Sequence, residues 1–195
     1  MIFYPKSYFK NILEIDMNFI EKNNIKAILL DIDNTMIDTD NNILEGLEDW
    51  VEEAKKHGIK FCILSNTNKK KKAEKMSKKL EVPYIYFAKK PFKFGFNRAK
   101  KIVQENSENI AVIGDQILTD VLGANRSHMY SILVEPLAEK DIFVTRFNRL
   151  IERQILNGFD SYDTTYSIPN KKLYVMLPDD KSIETAREKL KNMLP

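Results

Sequence analysis

Four clusters of polar residues carry the side chains in this sequence that are best suited to catalysis or metal binding. They are Asp31-Ile32-Asp33-Asn34-Thr35, Ser65-Asn66-Thr67, Lys89-Lys90-Pro91, and Gly114-Asp115 with Asp120. The carboxylates of Asp31 and Asp33 can address the same small volume only if the chain turns sharply, and the residues that follow favour turns. Together with Asp115 they would form an all-oxygen pocket, which is the ligand set that suits Mg²⁺.

Alternating apolar and amphipathic segments place each cluster after a predicted strand. Buried strands are predicted at residues 27–30, 59–64, 84–88, 110–113 and 130–134. Helices are predicted at residues 44–54, 73–80, 95–104, 119–125 and 146–156. This order predicts an α/β fold of three layers with a parallel sheet. Because ligands bind at the carboxyl ends of such strands, the four clusters are expected to converge.

Composition excludes several other classes of protein. The 195 residues are 43% hydrophobic and 30% charged, which allows a sizeable core and argues against disorder. A single cysteine and two histidines exclude an intrachain disulfide and a zinc cage of thiolates and imidazoles. A net charge of +3 is too small to indicate nucleic-acid binding. Since no apolar run spans a bilayer and the start lacks signal-peptide features, a cytoplasmic, reduced protein is expected.

In order and position, the clusters resemble the four motifs of the haloacid dehalogenase-like (HAD) phosphatase superfamily over roughly residues 25–135. A finer resemblance is to the YqeG-type subfamily, which is similar to the mitochondrial phosphatidylglycerophosphate phosphatases. The segments that carry it are Asp31 to Thr35, Ser65-Asn66, Lys90-Pro91, Gly114 to Asp120, and Thr145-Arg146-Phe147-Asn148-Arg149 with Glu152-Arg153. The resemblance implies a Rossmann-like HAD core.

The resemblance also implies a phosphatase mechanism. Asp31 would attack phosphorus and form an aspartyl-phosphate, and Asp33 would act as general acid and then as general base. Ser65 and Lys90 would stabilise the transferring phosphoryl group. Mg²⁺ is the implied cofactor, and its predicted ligands are Asp31, the Asp33 backbone carbonyl, Asp115 and Asp120.

The resemblance and the spacing of the motifs also predict the substrate contacts and the domain organisation. Asn66, Arg146 and Arg149 are the predicted substrate-binding residues. Residues 1–159 are predicted to form the phosphatase domain, and residues 160–195 a C-terminal extension of unknown role. The gaps between the motifs are each used up by one helix and one strand, so no cap domain is expected. An uncapped site suits a lipid head group, a polymer end or a protein better than a small metabolite, and the lipid hypothesis is phosphatidylglycerophosphate.

Several residues have a second interpretation. Lys89 carries the same charge as Lys90 and could take its role at the phosphoryl group. Lys90 is favoured for that role because it directly precedes Pro91, as in the subfamily. Ser65 could cap the following helix as well as bind phosphate. The lysines of that helix form either a solvated face or a surface that attracts anions. Aromatics and lysines alternate in residues 3–10, which either pack on the sheet or contact an anionic membrane.

Other functions remain open on the sequence alone. The leading prediction is a cytoplasmic, Mg²⁺-dependent phosphomonoesterase. A further hypothesis places it as a peripheral protein on the inner face of the membrane, where it would act on the lipid. The alternatives are a nucleic-acid-end or protein phosphatase and a non-catalytic phosphate-sensing module. Nucleic acid is not an expected partner, because the only supporting feature is the lysine-rich helix.

Overall fold

One sheet of six parallel strands organises residues 2–137, the part of the chain that the computed structural model describes. The strands are β1 (Ser7–Phe9), β2 (Ala27–Leu30), β3 (Lys60–Leu64), β4 (Tyr84–Ile85), β5 (Ile110–Gly114) and β6 (Tyr130–Val134). Their order across the sheet is β1-β6-β5-β2-β3-β4, and every adjacent pair is parallel. The predicted parallel α/β fold is confirmed.

Helices cover both faces of the sheet. They are α1 (Met17–Lys22), α2 (Leu47–Lys56), α3 (Lys70–Leu80), α4 (Lys93–Val103) and α5 (Leu122–Arg126). Trp50 of α2 and Met76 of α3 belong to one apolar cluster, and Phe96 of α4 and Ala124 of α5 belong to the other. Strand β2 is buried along its whole length and contributes alternate residues to the two clusters, which gives the three predicted layers.

The register of the central strands brings the predicted motifs to one edge. Leu30 at the end of β2 lies opposite Ile63 of β3 and Ile113 of β5. The residues that follow these positions therefore leave the sheet side by side. Asp31 continues the pairing by one step, since its backbone N–H donates to the carbonyl of Ile113 at 3.0 Å.

The predicted strand at residues 84–88 is too long, because β4 ends at Ile85. Beyond it the chain bends towards the loop that follows β3, where the Phe87 N–H donates to the Thr67 carbonyl at 2.9 Å. Phe87 and Lys89 both have positive φ, which a regular strand excludes. Apolar composition alone did not reveal this bend.

The predicted helix at 119–125 is two elements, a π-helix at Ile117–Val121 followed by α5. Residues 12–14 and 107–109 form short 3₁₀ turns, which with α1 and β1 were not predicted. The helix predicted at 146–156 and the extension at 160–195 lie outside the described residues.

The aromatic N-terminal segment packs on the sheet. Ser7–Phe9 forms the edge strand β1, in which Tyr8 is only 8% exposed. The rings of Phe9 and Phe19 meet edge to face at 5.0 Å, and the Lys6 ammonium lies 5.0 Å from the ring centre of Tyr130. The packing alternative is therefore the one that the structure supports.

Neither motif gap within residues 2–137 holds a cap domain. The chain between Thr35 and Ser65 forms a loop, α2 and β3, and the chain between Thr67 and Lys90 forms α3 and β4. The edge of the sheet where the predicted motifs lie therefore has no lid from either gap.

None of the described helices is long and apolar enough to cross a bilayer.

Candidate active site

A buried lysine joins two carboxylates at the carboxyl edge of the sheet. The Lys90 Nζ atom lies 2.6 Å from Oδ1 of Asp31 and 2.6 Å from Oδ1 of Asp120. All three side chains are almost completely buried. Lys90 comes from the turn after β4, Asp31 from the end of β2 and Asp120 from the π-helix after β5. Three of the four predicted clusters therefore converge directly.

Glycine at position 114 makes room for Asp120. A Cβ atom on Gly114 would lie 2.3 Å from Cγ and 2.4 Å from Oδ2 of Asp120, so a side chain there would displace the carboxylate. The backbone N–H of Gln116 donates to that carboxylate at 3.2 Å, and the Thr119 hydroxyl donates to it at 3.3 Å. The close approach explains why Gly114 precedes Asp115 in this motif.

Asp115 completes a triad of carboxylates. One oxygen from each of Asp31, Asp115 and Asp120 lies within 4.8 Å of the others. The Thr35 hydroxyl donates to Oδ1 of Asp115 at 3.4 Å. The triad offers only oxygen donors, as the sequence predicted, and this donor chemistry fits a hard divalent cation such as Mg²⁺.

The electrostatics of the triad show an excess of negative charge. The pKa of Asp31 is raised to about 6, because burial and the Asp120 charge raise it more than Lys90 lowers it. Burial, Asp120 and Asp31 raise the pKa of Asp115 to about 8. Burial disfavours the ammonium of Lys90, but Asp120 and Asp31 outweigh that effect and raise its pKa above the usual range. One lysine does not balance three carboxylates, whereas a bound divalent cation would.

Asp33 lies at the exposed side of the site and is held by a lysine from α3. Asn34 has a φ of 56°, which produces the sharp turn that the sequence predicted after Asp33. The Asp33 carboxylate is 44% exposed and forms an ion pair with the Lys72 ammonium. Sequence reasoning missed Lys72, because a run of similar lysines does not reveal which one faces the site. The lysines of α3 therefore do not all face solvent, since Lys72 contacts the site.

Ser65 is buried beside this edge and does not cap α3. Its Oγ accepts a hydrogen bond from the Thr67 N–H at 3.1 Å, which leaves the hydroxyl proton free for another acceptor. The helix begins at Lys70, and its N-cap residue, Lys69, has no side-chain cap. The helix-cap alternative is therefore wrong, and the phosphate-binding role of Ser65 stays a prediction.

Asn66 fixes the backbone of Lys90 by two hydrogen bonds. The Lys90 N–H donates to Oδ1 of Asn66 at 2.6 Å, and Nδ2 of Asn66 donates to the Lys90 carbonyl at 3.0 Å. The substrate contact predicted for Asn66 stays a prediction. What the structure shows is a positioning contact that spans the loops after β3 and β4.

The two neighbouring lysines point in different directions. Lys89 is exposed, and its ammonium lies 5.3 Å from the ring centre of Phe87. Lys90 points inward to the carboxylates. Arg146 and Arg149, the other predicted substrate contacts, lie outside the described residues.

We expect Asn66→Ala to lower kcat with an aryl phosphate about ten-fold, because Lys90 loses both backbone hydrogen bonds, each contributing about 1 kcal/mol. Steady-state kinetics would measure this effect, with thermal melting to verify folding. Asn97→Ala, an exposed change on α4, is the matched control. An unchanged kcat in folded Asn66→Ala would remove the positioning role.

Two aspartates directly after β2, a buried lysine and a further acidic pair lie at one edge of the parallel sheet, which is the arrangement that the resemblance to HAD phosphatases implies. Among known families, the sequence profile described as Mitochondrial PGP phosphatase matches residues 1–137. The chain therefore belongs to that family.

The chain is also similar to individual proteins in sequence or in fold. The chain is 45% identical over 157 residues to the probable phosphatase YqeG of Bacillus subtilis (strain 168), covering 80% of this chain and 91% of that protein. An uncharacterized protein from Corynebacterium glutamicum ATCC 13032 shares the fold, with a TM-score of 0.51, 17% identity, and coverage of 64% of this chain and 96% of that chain. A cobalt-bound deoxy-D-mannose-octulosonate 8-phosphate phosphatase from Haemophilus influenzae has a TM-score of 0.49, 17% identity, and coverage of 64% and 75% respectively.

Proposed function

We propose that this phosphatase hydrolyses phosphomonoesters through an aspartyl-phosphate on Asp31, with Mg²⁺ as cofactor. The observation that carries the proposal is the position of the Asp31 carboxylate, buried against Lys90 and two residues before the half-exposed Asp33. A carboxylate held in this way can attack a phosphoryl group that enters from the Asp33 side. The neighbouring carboxyl then supplies and removes protons.

The reaction proceeds in two displacements. In the first, an Asp31 oxygen forms a bond to phosphorus, the ester P–O bond breaks, and Asp33 donates its proton to the departing alkoxide. In the second, Asp33 takes a proton from a water molecule that attacks phosphorus. The Asp31–phosphate bond breaks and inorganic phosphate leaves. Lys90 and Ser65 hold the phosphoryl oxygens, and Lys72 keeps the Asp33 carboxylate at the mouth of the site.

Asp31, Asp115 and Asp120 are the residues that would hold Mg²⁺, with the Asp33 backbone carbonyl as a further predicted ligand. When bound, the ion supplies positive charge that lets the Asp31 carboxylate and a phosphate dianion approach each other. The burial and mutual repulsion of the three carboxylates support this assignment, since one lysine does not supply enough positive charge to balance them.

Phosphatidylglycerophosphate is the proposed substrate, and the inner face of a membrane is the proposed place of reaction. Membership of the family described as Mitochondrial PGP phosphatase supports the substrate. The missing cap also supports it, because an open edge can meet a head group that remains in a bilayer. Arg146 and Arg149 are the predicted contacts to the other charges of that head group.

A substrate panel tests the proposal. Purified protein with Mg²⁺ should release phosphate from phosphatidylglycerophosphate faster than from phosphopeptides, polynucleotide ends or sugar phosphates. Preference for a phosphopeptide or a polynucleotide end would replace the lipid while preserving the chemistry. Phosphate binding without turnover of any substrate would instead indicate a sensing module.

We expect EDTA to abolish turnover, Mg²⁺ to restore it, and Ca²⁺ to fail, since Ca²⁺ accepts longer and looser coordination. Asp115→Asn should raise the Mg²⁺ concentration for half-maximal activity by about ten-fold or more, because it removes one charged ligand. Titration of activity against Mg²⁺ measures both effects. Asp49→Asn, an exposed change on α2, should leave the requirement unaltered. Full turnover in EDTA would contradict the metal site.

A further inference from the structure

Three exposed phenylalanines surround the loop that supplies Lys90. Phe87 is 55% exposed, and Phe92 and Phe94 are each 62% exposed. The fold does not use these three rings in its core. Phe96, which lies on α4 with Phe94, is by contrast fully buried and packs against Gly123. Helical packing thus explains Phe96 but leaves the other three rings at the surface.

Basic side chains accompany these rings. Every charged residue from Val82 to Gln104 is a lysine or an arginine. The Lys89 ammonium lies 5.3 Å from the ring centre of Phe87, and the Arg98 guanidinium lies 5.6 Å from that of Phe94. We name Phe87, Lys89, Phe92, Lys93, Phe94 and Arg98 the aromatic rim.

The aromatic rim borders the mouth of the active site. Phe87 is tied to the loop after β3 through its hydrogen bond to Thr67, and the Phe92 N–H donates to the Lys89 carbonyl at 2.9 Å in the turn that contains Lys90. The exposed lysines at the start of α3 lie just beyond Thr67 in the chain. Whatever covers the rim therefore lies next to the phosphate-binding loops.

We infer that the aromatic rim is a docking surface for an anionic lipid bilayer, an inference that rests on the proposed function because it brings a membrane phosphomonoester to Asp31. Aromatic rings that carry cations on their faces suit the interface between head groups and acyl chains. Basic residues are attracted to anionic lipid. A second copy of the chain fits poorly, since a two-fold interface would place like charges together.

Vesicle sedimentation tests the inference with the full chain. The wild-type protein should bind vesicles of equal parts phosphatidylcholine and phosphatidylglycerol and should bind pure phosphatidylcholine vesicles weakly. Combining Phe87→Ser, Phe92→Ser and Phe94→Ser should lower the partition coefficient at least about ten-fold. Ile102→Ser is the matched control, because this exposed residue lies about 12 Å along α4 from Phe94.

The charge of the rim has a separate test. Lys93→Gln should lower partition into anionic vesicles about five-fold, equivalent to about 1 kcal/mol. Lys101→Gln, at the far end of α4, should change it little. All of these variants should retain wild-type turnover of a soluble aryl phosphate and wild-type melting temperatures, because the altered side chains are exposed and outside the catalytic cluster.

Three results would overturn the inference. The first is equal binding of the wild-type protein to both kinds of vesicle, and the second is binding by the triple variant that equals that of the wild-type protein. The third is absence of vesicle binding together with a dimer, seen in sedimentation velocity, that the triple variant loses. If the wild-type protein lacks aryl phosphatase activity, the proposed chemistry fails, while the vesicle measurements still decide the docking surface.

Discussion

Asp31→Asn is expected to lower turnover of every phosphomonoester by about 10⁴-fold or more, because an amide oxygen cannot form the aspartyl-phosphate. The substitution preserves volume at a buried position beside Lys90. It also removes one of three carboxylates that repel one another, so the free energy of unfolding in EDTA should not fall. Kinetics with an aryl phosphate and urea denaturation measure the two quantities.

Asp33→Asn provides the mechanistic comparison for this result. In the proposed mechanism this substitution retains the nucleophile but removes the group that activates water, so a phosphoryl adduct should accumulate and be visible by intact mass spectrometry. Asp49→Asn is the exposed control. Retention of more than a few per cent of wild-type turnover in Asp31→Asn would show that another group attacks phosphorus.

Lys90→Met is expected to lower both turnover and stability. In the proposed mechanism the Lys90 ammonium holds the phosphoryl oxygens, so its loss should reduce kcat by about 10²- to 10³-fold. In EDTA the substitution also leaves Asp31 and Asp120 without their shared cation, and breaking a buried ion pair costs about 3–5 kcal/mol. Mg²⁺ should recover part of the lost free energy of unfolding, because it supplies positive charge to the same carboxylates.

Lys89→Met is the matched control for this prediction. Its side chain is exposed over Phe87, so its free energy of unfolding should change by no more than about 0.5 kcal/mol and its kcat should be retained. Urea denaturation with and without Mg²⁺, combined with aryl phosphate kinetics, separates the two lysines. A larger loss of turnover in Lys89→Met than in Lys90→Met would reverse their assignment.

Sequence patterns were sufficient for the class of fold and for the general position of the site. Apolar runs at 27–30 and 110–113 correspond closely to β2 and β5, because central strands of a parallel sheet are buried on both faces. Parallel order then requires the residues after those strands to share an edge. For that reason Asp31 and Asp115 could be placed together without coordinates, and the structure gathers them with Asp120.

Edge elements were less predictable. Strand β1 has three residues and β4 has two, so neither is long enough for a periodic pattern. Their pairing depends on neighbours that are distant in the chain, such as Val134 opposite Phe9. The aromatic residues near the N-terminus therefore suggested either a membrane contact or packing, and only their position beside β6 distinguished the two.

Local composition determined that lysines, aspartates and a serine would surround this edge of the sheet, whereas tertiary contacts decided which of them work together. Lys90 meets Asp120 and Lys72 meets Asp33 across 30 and 39 residues of sequence. Neighbouring lysines have the same charge and length, so composition cannot separate them. The positive φ at Lys89 and the two hydrogen bonds between the Lys90 backbone and the Asn66 side chain orient the Lys90 side chain inward. Such backbone turns depend on the assembled loops rather than on hydrophobic periodicity.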